Sequence, residues 1–392
     1  MPGRLPLPED ERVDFRPTPD QQALCDAVRS FGRTLNDGML DRDARGEFSR
    51  ERWKRCAEFG LQGLPVPTEY GGAGQDLTTT LLAMEALGYA CRDNGLVFSL
   101  NAQMWAFELP LVRFGTEEQK RRYLPRLCRG EIVGAHAVTE PDFGSDAMSM
   151  SSRYVRDGDD YVLDGAKTFV TNGPIADVIL AFATVDRGLR SAGLSAFLVE
   201  RGTSGMSTSA PISKMGLRTS PMGEIAFSGC RVPVAQRLGA EGAGVAIFNA
   251  AMEWERACIF ASHLGSMQRL MEDTIAYAKS RKQFGQAIAR FGPVADRIVD
   301  MKVAIEAGRL LLYKVGAVKD AGGDAVLDAA VAKLFVSEAH VRQAVDAIQI
   351  HGGYGYSTEI EIERELRDAI PGTIYSGTSE MQRKIIARLL GL

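Results

Sequence analysis

The sequence predicts an α+β protein in which a helical region, a β region and a second helical region follow one another. Residues 20–130 carry helical periodicity, and the next hundred residues hold short β-type runs separated by Gly, Asp, Asn and Ser clusters. Long amphipathic segments return after Gly242. We therefore expect a mobile lead over 1–19, an N-terminal α-helical domain over 20–130, a central β domain over 131–236 and a C-terminal α-helical domain over 237–392.

Each region is predicted from its local signals. The lead is rich in proline, and the first helical region is divided by turn signals at Glu69–Gly72 and Phe114–Thr116. The β-type runs begin at Tyr161, Thr168, Val178, Leu194 and Ile225. The long helical segments of the last region cover Ala246–Leu270, Phe291–Asp320 and Ala325–Ile350.

Composition excludes several classes of protein. A net charge of -4 and an isoelectric point near 5.8 give no basic field, so we expect no nucleic-acid partner. The apolar runs are too short to span a bilayer and no apolar signal core opens the chain, which predicts a cytoplasmic protein without membrane contact. The six cysteines and four histidines show no metal-ligand spacing, so we expect no metal.

The glycine motifs exclude two common nucleotide-binding folds. No strand leads into a G-x-G-x-x-G turn, and the chain has no P-loop. The run from Gly239 to Gly244 has the glycines but not the spacing. A nucleotide cofactor would therefore be held by some other fold.

Five segments, in order along the chain, resemble those of the acyl-CoA dehydrogenase family. They are AVTEPDFGSD from Ala137, KTFVTNG from Lys167, KMGLRTS from Lys214, RKQFG from Arg281, and the closing run from Gln349 to Arg388. The resemblance covers nearly all of the chain. It implies that family's fold, with an N-terminal α-helical domain, a central β-barrel-like domain and a C-terminal four-helix bundle, and it implies FAD as the cofactor in a homodimer or homotetramer.

The resemblance also assigns residues to the flavin end of FAD. In the family, the first segment supplies hydrogen bonds to the flavin and the pyrophosphate, and the second covers one flavin face with an aromatic ring and reaches N5 with a threonine hydroxyl. The matching residues here are Val138, Thr139, Gly144, Ser145, Phe169 and Thr171, and His136 stands where the family often has an aromatic residue beside the flavin. The strand period of two places Phe169 and Thr171 on one face.

The other end of the cofactor is matched by later segments. In the family, an arginine with a following glutamine and phenylalanine binds the pyrophosphate and adenine side of a neighbouring subunit's FAD, as does a glycine-containing stretch after a long helix. The matching residues here are Arg281, Gln283, Phe284, Gln349, Gly352 and Gly353. Thr378 and Glu380 are further predicted cofactor residues, at the start of the last helix, which opens toward the cofactor. A planar guanidinium suits phosphate. At least a dimer is implied.

The family's usual base is missing. Where the family has a glutamate between a tyrosine and Gly-Thr, this chain has Ser376, after Tyr375 and before Gly377. An unassisted serine hydroxyl is too weak a base to take a carbon-bound proton near neutral pH. We therefore assign Ser376 a lining role and look for the base elsewhere.

A second group within the family carries its base on an earlier helix, just before an arginine. Glu255 holds that place here, between Trp254 and Arg256. Glu253 would point about 160° away on the same helix, so only one of the two can face the flavin. We predict Glu255 as the base. Trp254, Arg256, Tyr375, Ser376 and Gly377 are the predicted substrate-pocket residues, with an apolar pocket closed by Trp254 or Tyr375 raising the carboxyl pKa.

The implied reaction is α,β-dehydrogenation of an acyl thioester, with Glu255 taking the α-proton as hydride passes to flavin N5. The thioester partner is acyl-CoA or an acyl or aminoacyl carrier protein, because the chain also resembles the subgroup containing prolyl-carrier-protein dehydrogenases. The electron acceptor is an electron-transfer flavoprotein or oxygen. A flavin oxidase or monooxygenase on this fold and a non-catalytic FAD-binding protein are the alternatives that stay open.

Overall fold

The computed structural model describes residues 16–392. The predicted mobile lead therefore lies largely outside the described residues. The first helix begins at Pro19, and Thr18 caps it by accepting from the Gln21 backbone N–H. Proline at the first helical position and threonine at the cap are both favoured there.

The N-terminal region is helical, as the sequence predicts. Its helices are α1 (Pro19–Arg33), α2 (Met39–Arg45), α3 (Arg50–Phe59), α4 (Leu77–Ala90), α5 (Asn94–Gln103), α6 (Leu109–Phe114) and α7 (Glu117–Cys128). Asp76 and Asp93 cap α4 and α5 through backbone N–H groups of their first turns. Both helices are apolar on nearly all sides because they lie inside the protein.

The central region is one mixed sheet of eight strands among the described residues. The strands are β1 (Gly134–Ala137), β2 (Arg153–Asp157), β3 (Asp160–Thr171), β4 (Val178–Thr184), β5 (Leu194–Glu200), β6 (Met206–Thr208), β7 (Met222–Pro233) and β8 (Arg237–Leu238). Their order is β6-β7-β3-β2-β4-β5-β8, with β1 parallel to β4. Every residue of β4 is buried, which explains its uninterrupted apolar run.

The C-terminal region returns to helices after a short hairpin. The hairpin strands are β9 (Lys282–Gln283) and β10 (Gln286–Ala287), and the helices are α8 (Gly244–Ser280), α9 (Gly292–Asp320), α10 (Val326–His351), α11 (Gly353–Tyr356), α12 (Ile362–Ala369) and α13 (Ser379–Leu389). Helices α8, α9 and α10 pack on one another, and α13 packs on α10. The three-region order and the fold predicted from the resemblance are confirmed, while the domain boundaries stay a prediction.

Helix α8 holds the two helical regions together. It crosses α4 so closely that a Cβ on Gly88 would lie 2.0 Å from the Ser262 carbonyl oxygen, and one on Gly265 would lie 2.1 Å from the Glu85 carbonyl oxygen. Only glycine permits this approach of two backbones. One buried apolar cluster therefore includes side chains from both helical regions. Within residues 16–392, no helix is long and apolar enough to cross a membrane.

Candidate active site

The predicted base and the serine at the family's usual base position are in contact. Ser376 Oγ donates to Glu255 Oε1 at 2.8 Å, which joins the middle of α8 to the segment before α13. The other carboxylate oxygen of Glu255 is buried and has no partner among the described residues. Ser376 is therefore more than a lining residue, since its hydroxyl binds the carboxylate. The lining role assigned from sequence was incomplete for this reason.

Burial sets the acidity of Glu255. Desolvation raises its pKa to about 6, while the Ser376 hydrogen bond and the charge of Arg256 pull the pKa down. A carboxyl with a pKa near 6 is mostly ionised at pH 7 yet is a stronger base than an ordinary glutamate. Its pKa therefore suits the predicted role of Glu255 as a general base.

Glu253 takes a different partner, as expected from its position on the helix. It forms an ion pair with Lys319 of α9, and Lys319 also lies 5.6 Å from the centroid of the Trp254 ring. A carboxylate that is ion-paired with a nearby lysine is not available to accept a proton from a substrate. Of the two glutamates, Glu255 is the one that faces Ser376.

The turn that carries Ser376 has an unusual backbone. Ser376 has a φ of 53° and Gly377 a φ of 86°, and a side chain in the left-handed region is uncommon outside glycine. The Gln382 side-chain amide donates to the carbonyls of Ser376 at 3.2 Å and Gly377 at 2.8 Å. The turn is thus held from α13, whose first residue follows the capping hydroxyl of Thr378.

Aromatic rings pack beside this turn. The Tyr375 ring lies 4.7 Å from Phe98 of α5 and 5.9 Å from Phe260 of α8 between centroids. Trp254 was predicted to help close the pocket, but the structure places it beside Lys319. Phe98 and Phe260 were not predicted from sequence, because each sits among other apolar helical residues and only the fold brings them to Tyr375.

A buried ion pair lies beneath the predicted flavin segment. Lys167 Nζ lies 2.7 Å from Glu140 Oε1, and both side chains are almost wholly buried. Lys167 also donates to the Val138 carbonyl at 3.2 Å, and the Thr168 N–H donates to the Thr139 carbonyl at 2.8 Å. These bonds join the segment after β1 to the last part of β3, so the two predicted flavin segments are neighbours.

The end of β3 departs from the regular strand expected from sequence. Its pairing with β7 shifts between Lys167 and Val170, and Phe169 has a φ of 55°. The bulge leaves the Phe169 ring 60% exposed and Thr171 half-buried. The simple period-two argument for their shared face does not apply across this bulge. The exposed ring instead results from local backbone geometry.

Helix α5 links the sheet to the base. Asn172 Nδ2, next to Thr171, donates to the Ser99 carbonyl at 3.1 Å, and the neighbouring Phe98 packs on Tyr375. The end of β3 and the Tyr375 turn therefore contact the same turn of α5, at Ser99 and at Phe98. The structure brings the predicted flavin residues of the sheet close to the predicted pocket residues.

Three other predicted flavin residues differ in exposure. Gly144 and Ser145 are exposed, and a Cβ on Gly144 would meet nothing within 4 Å. His136 is mostly enclosed, its ring meets Phe182 edge to face at 5.3 Å, and burial lowers its pKa to about 4. Its Nε2 is buried without a partner among the described residues. His136 is thus neutral near pH 7.

A second group of predicted residues surrounds a cavity at the far end of α8. Its volume is about 520 Å³, and its walls include Arg281, Gln283, Gly352 and Gly353. Gln349 is exposed on the last turn of α10. Arg281 lies about 39 Å from Glu255 at ~1.5 Å of helix rise per residue. One chain therefore presents two separate groups of predicted cofactor residues.

The hairpin beside this cavity displays an aromatic ring. Phe284 and Gly285 have φ values of 49° and 79°, as a two-residue hairpin turn requires at both positions. The Phe284 ring is 94% exposed. Asn or Gly is the usual first residue of such a turn, so phenylalanine there indicates selection for something other than turn stability.

Comparison with known proteins matches three domains of one protein family along the chain. Models of the acyl-CoA dehydrogenase N-terminal, middle and C-terminal domains match residues 18–131, 135–230 and 242–391. The L-prolyl-peptidyl-carrier-protein dehydrogenase of Pseudomonas fluorescens is 44% identical, over 88% of this chain and 91% of its own.

Two solved structures have nearly the same fold. The prolyl acyl carrier protein oxidase AnaB is 49% identical with a TM-score of 0.95, over 96% of this chain and 100% of its own. A structure of PigA with FAD and proline is 41% identical with a TM-score of 0.95, over 97% of this chain and 100% of its own. The three matched domains cover most of the sequence, so the chain belongs to the acyl-CoA dehydrogenase family.

Proposed function

We propose that this protein is an FAD-dependent dehydrogenase of thioesters that uses Glu255 as its base and oxidises an aminoacyl group of the prolyl type while that group stays thioester-linked to a carrier protein. The observation that carries this proposal is the Glu255 carboxylate, whose Oε2 is buried, whose pKa is raised to about 6 and which accepts a hydrogen bond from Ser376. It contacts the side chain at the position where the family usually has its glutamate.

The residues present fit FAD at both ends. At one end, the exposed Phe169 ring and the unpartnered buried Nε2 of His136 offer a surface and a polar atom for a planar heterocycle. At the other, Gly352 and Gly353 leave open space where any Cβ would stand, beside the guanidinium of Arg281. Such a site suits a pyrophosphate. FAD is also the cofactor bound in the PigA structure.

The chemistry asked of Glu255 is removal of the α-proton of the thioester. Its Ser376-bound oxygen is fixed, and its free oxygen is the atom able to receive the proton. FAD, when bound, supplies the acceptor for the β-hydride. The aromatic side chains of Phe98, Phe260 and Tyr375 exclude water around the carboxylate, which keeps its basicity high.

The carrier-protein handle is supported by relatives. The Pseudomonas fluorescens enzyme and AnaB, which this chain covers almost fully, are described as acting on prolyl groups of carrier proteins. CoA thioesters remain the competing substrates because the reacting thioester is the same. The AnaB description as an oxidase favours oxygen as the electron acceptor, against an electron-transfer flavoprotein.

We also propose a homodimer or homotetramer in which the Arg281 cavity of one subunit serves the cofactor bound near Glu255 of another. The separation of about 39 Å along α8 supports this arrangement. Exposed apolar side chains on α9, such as Val299 and Val303, are available for subunit contact. A cytoplasmic location stays part of the proposal, and the six buried free cysteines are compatible with a reducing compartment.

The test is Glu255→Gln, with Glu253→Gln as the matched control on the same helix. Flavin reduction is followed anaerobically by stopped-flow absorbance after mixing with prolyl-carrier-protein, acyl-carrier-protein and acyl-CoA thioesters. Glu255→Gln should retain FAD and lose about two to four orders of magnitude in rate, while Glu253→Gln reduces flavin near the wild-type rate. Normal bleaching by Glu255→Gln would refute the assignment, and fastest reduction by CoA thioesters would refute the carrier-protein handle.

A further inference from the structure

A chain of buried side chains runs from the candidate active site into the helical core. The Tyr375 hydroxyl lies 2.6 Å from Nε2 of His263, and Nδ1 of His263 lies 2.9 Å from Nδ1 of His340. His263 comes from α8, His340 from α10 and Tyr375 from the segment before α13. Neither histidine takes part in the chemistry proposed above.

This hydrogen-bonded chain gives the Tyr375 hydroxyl hydrogen an acceptor in one direction only. A tyrosine hydroxyl has one hydrogen, and a neutral imidazole has one N–H and one bare nitrogen. If Tyr375 donates to Nε2 of His263, then His263 carries its hydrogen on Nδ1 and donates to His340, whose own hydrogen lies on Nε2. In the reverse direction the Tyr375 hydrogen finds no acceptor among the described residues. We therefore assign the first direction.

The far end of the chain has room for one water. Nε2 of His340 is buried and has no protein partner within the described part of the chain. His340 also lines a cavity of about 20 Å³ whose polar walls include Asn94, Ser262, Ser266 and Asp368. A polar cavity above about 10–15 Å³ holds a water molecule. A water there would accept from Nε2 of His340 and complete the hydrogen-bonded chain.

The surroundings keep both imidazoles neutral. Burial holds the pKa of His263 well below its usual value, and the charge of Lys333 on α10 lowers it further. Burial lowers the pKa of His340 to about 4, with Glu365 of α12 raising it and Arg269 of α8 lowering it. Both rings are therefore neutral from pH 6 to 8, so the directional chain persists over the working range.

We propose that His263, oriented by His340, is a positioning residue that anchors the Tyr375 hydroxyl and so holds the turn that places Ser376 against Glu255. The proposal rests on the proposed role of Glu255 as base. Tyr375 directly precedes Ser376 in the sequence. Ser376 and Gly377 both have a left-handed backbone, so the turn that they form needs restraint from neighbouring side chains. Gln382 restrains its carbonyls, and His263 restrains its aromatic end.

Loss of the hydrogen bond between His263 and Tyr375 should raise the pKa of Glu255. The groups that face Glu255 are Ser376, which lowers its pKa by hydrogen bonding, Arg256, which lowers its pKa by charge, and Tyr375, whose own pKa is raised by burial and by the charge of Glu255. If the turn moves, the Ser376 contribution is lost, and the pH at which the reaction reaches half its maximal rate rises. A histidine that served packing alone would change stability and leave this midpoint in place.

The experiment compares His263→Leu, His263→Gln, Tyr375→Phe and the double variant His263→Leu/Tyr375→Phe in the FAD-loaded enzyme. Stopped-flow flavin reduction by prolyl-carrier-protein is recorded from pH 5 to 8. His263→Leu and Tyr375→Phe should each lose up to about fivefold in rate at pH 6, the loss expected when the pKa of Glu255 rises by about one unit, and should shift the midpoint upward. The double variant should lose no more than either single variant, because the same bond is removed. His263→Gln, whose amide oxygen can accept from Tyr375, should recover most of the rate.

An unchanged midpoint in His263→Leu, or additive losses in the double variant, would overturn the proposal. A second measurement does not depend on turnover. Nitrogen-15 spectra of histidine-labelled enzyme report the tautomers, and the chain has only four histidines. His263 should be protonated at Nδ1 alone and His340 at Nε2 alone from pH 6 to 8. The reverse tautomers or a cationic His263 would refute the assigned direction of the hydrogen bonds. If the wild-type enzyme is reduced by no thioester, the proposed function fails, and the tautomer result still decides the hydrogen-bond direction.

Discussion

Removing the Ser376 hydroxyl should make the reaction more sensitive to acid. Ser376→Ala deletes the hydrogen bond of 2.8 Å to Glu255 and leaves the burial that raises the pKa of Glu255. A hydrogen bond to a charged group contributes about 1.5–3 kcal/mol. Part of this bond survives when the carboxyl is protonated, so we expect the pKa to rise by about one unit, or ~1.4 kcal/mol.

The size of the effect follows from the ionised fraction. At pH 6 the wild-type carboxyl, with a pKa of about 6, is about half ionised. With a pKa of about 7 it is ionised to about 9%, so the rate at pH 6 falls about fivefold. At pH 8 both forms are more than about 90% ionised and the rates nearly agree. The sign is fixed because the base must be ionised to accept a proton.

Anaerobic stopped-flow reduction from pH 5 to 8, with α-deuterated substrate to confirm that proton removal limits the rate, measures this directly. Ser337→Ala is the matched control, because it removes another buried hydroxyl that bonds only within its own helix. A Ser376→Ala profile that superimposes on the wild type, or one displaced to lower pH, would refute the reasoning.

Two further outcomes are expected. Lys167→Met should lower the free energy of unfolding by about 3–5 kcal/mol in chemical denaturation, because it leaves Glu140 charged and buried, whereas Arg231→Met, whose ion pairs are exposed, should change it little. Arg281→Ala should raise the Kd for FAD about tenfold or more through a lost phosphate contact, with Lys282→Ala as control. A stability unchanged by Lys167→Met, or equal FAD retention in both hairpin variants, would contradict these expectations.

The sequence was sufficient to predict the three-region fold because the pattern of each region is locally consistent. Amphipathic periods mark the helices, and β4 reads as an apolar run since all of it is buried. Helix spacing predicted only that Glu253 and Glu255 point about 160° apart. The choice of Glu255 as the base came from its match to the second group of the family and stays a prediction.

Other parts of the site depend on tertiary contacts that no local pattern records. His263 and His340 are 77 residues apart, and each is a single polar residue on an apolar helix face. Phe98 reaches Tyr375 only because α5 packs beside α8. The bulge at Phe169 interrupts the regular alternation of side chains between the two faces of the strand. It does so through a left-handed φ that a phenylalanine in the sequence does not predict.

The serine at position 376 is consistent with a base on α8 for an electrostatic reason. Ser376 Oγ lies within hydrogen-bond distance of Glu255, so a glutamate at that position would bring a second carboxylate to the same small buried site. Two carboxylates that close cannot both ionise, and one would hold a proton near pH 7. A neutral donor has the opposite effect, because it stabilises the ionised form of the one remaining carboxylate. Ser376, which stands where the family usually has its base, therefore limits how far burial raises the pKa of Glu255, the proposed base.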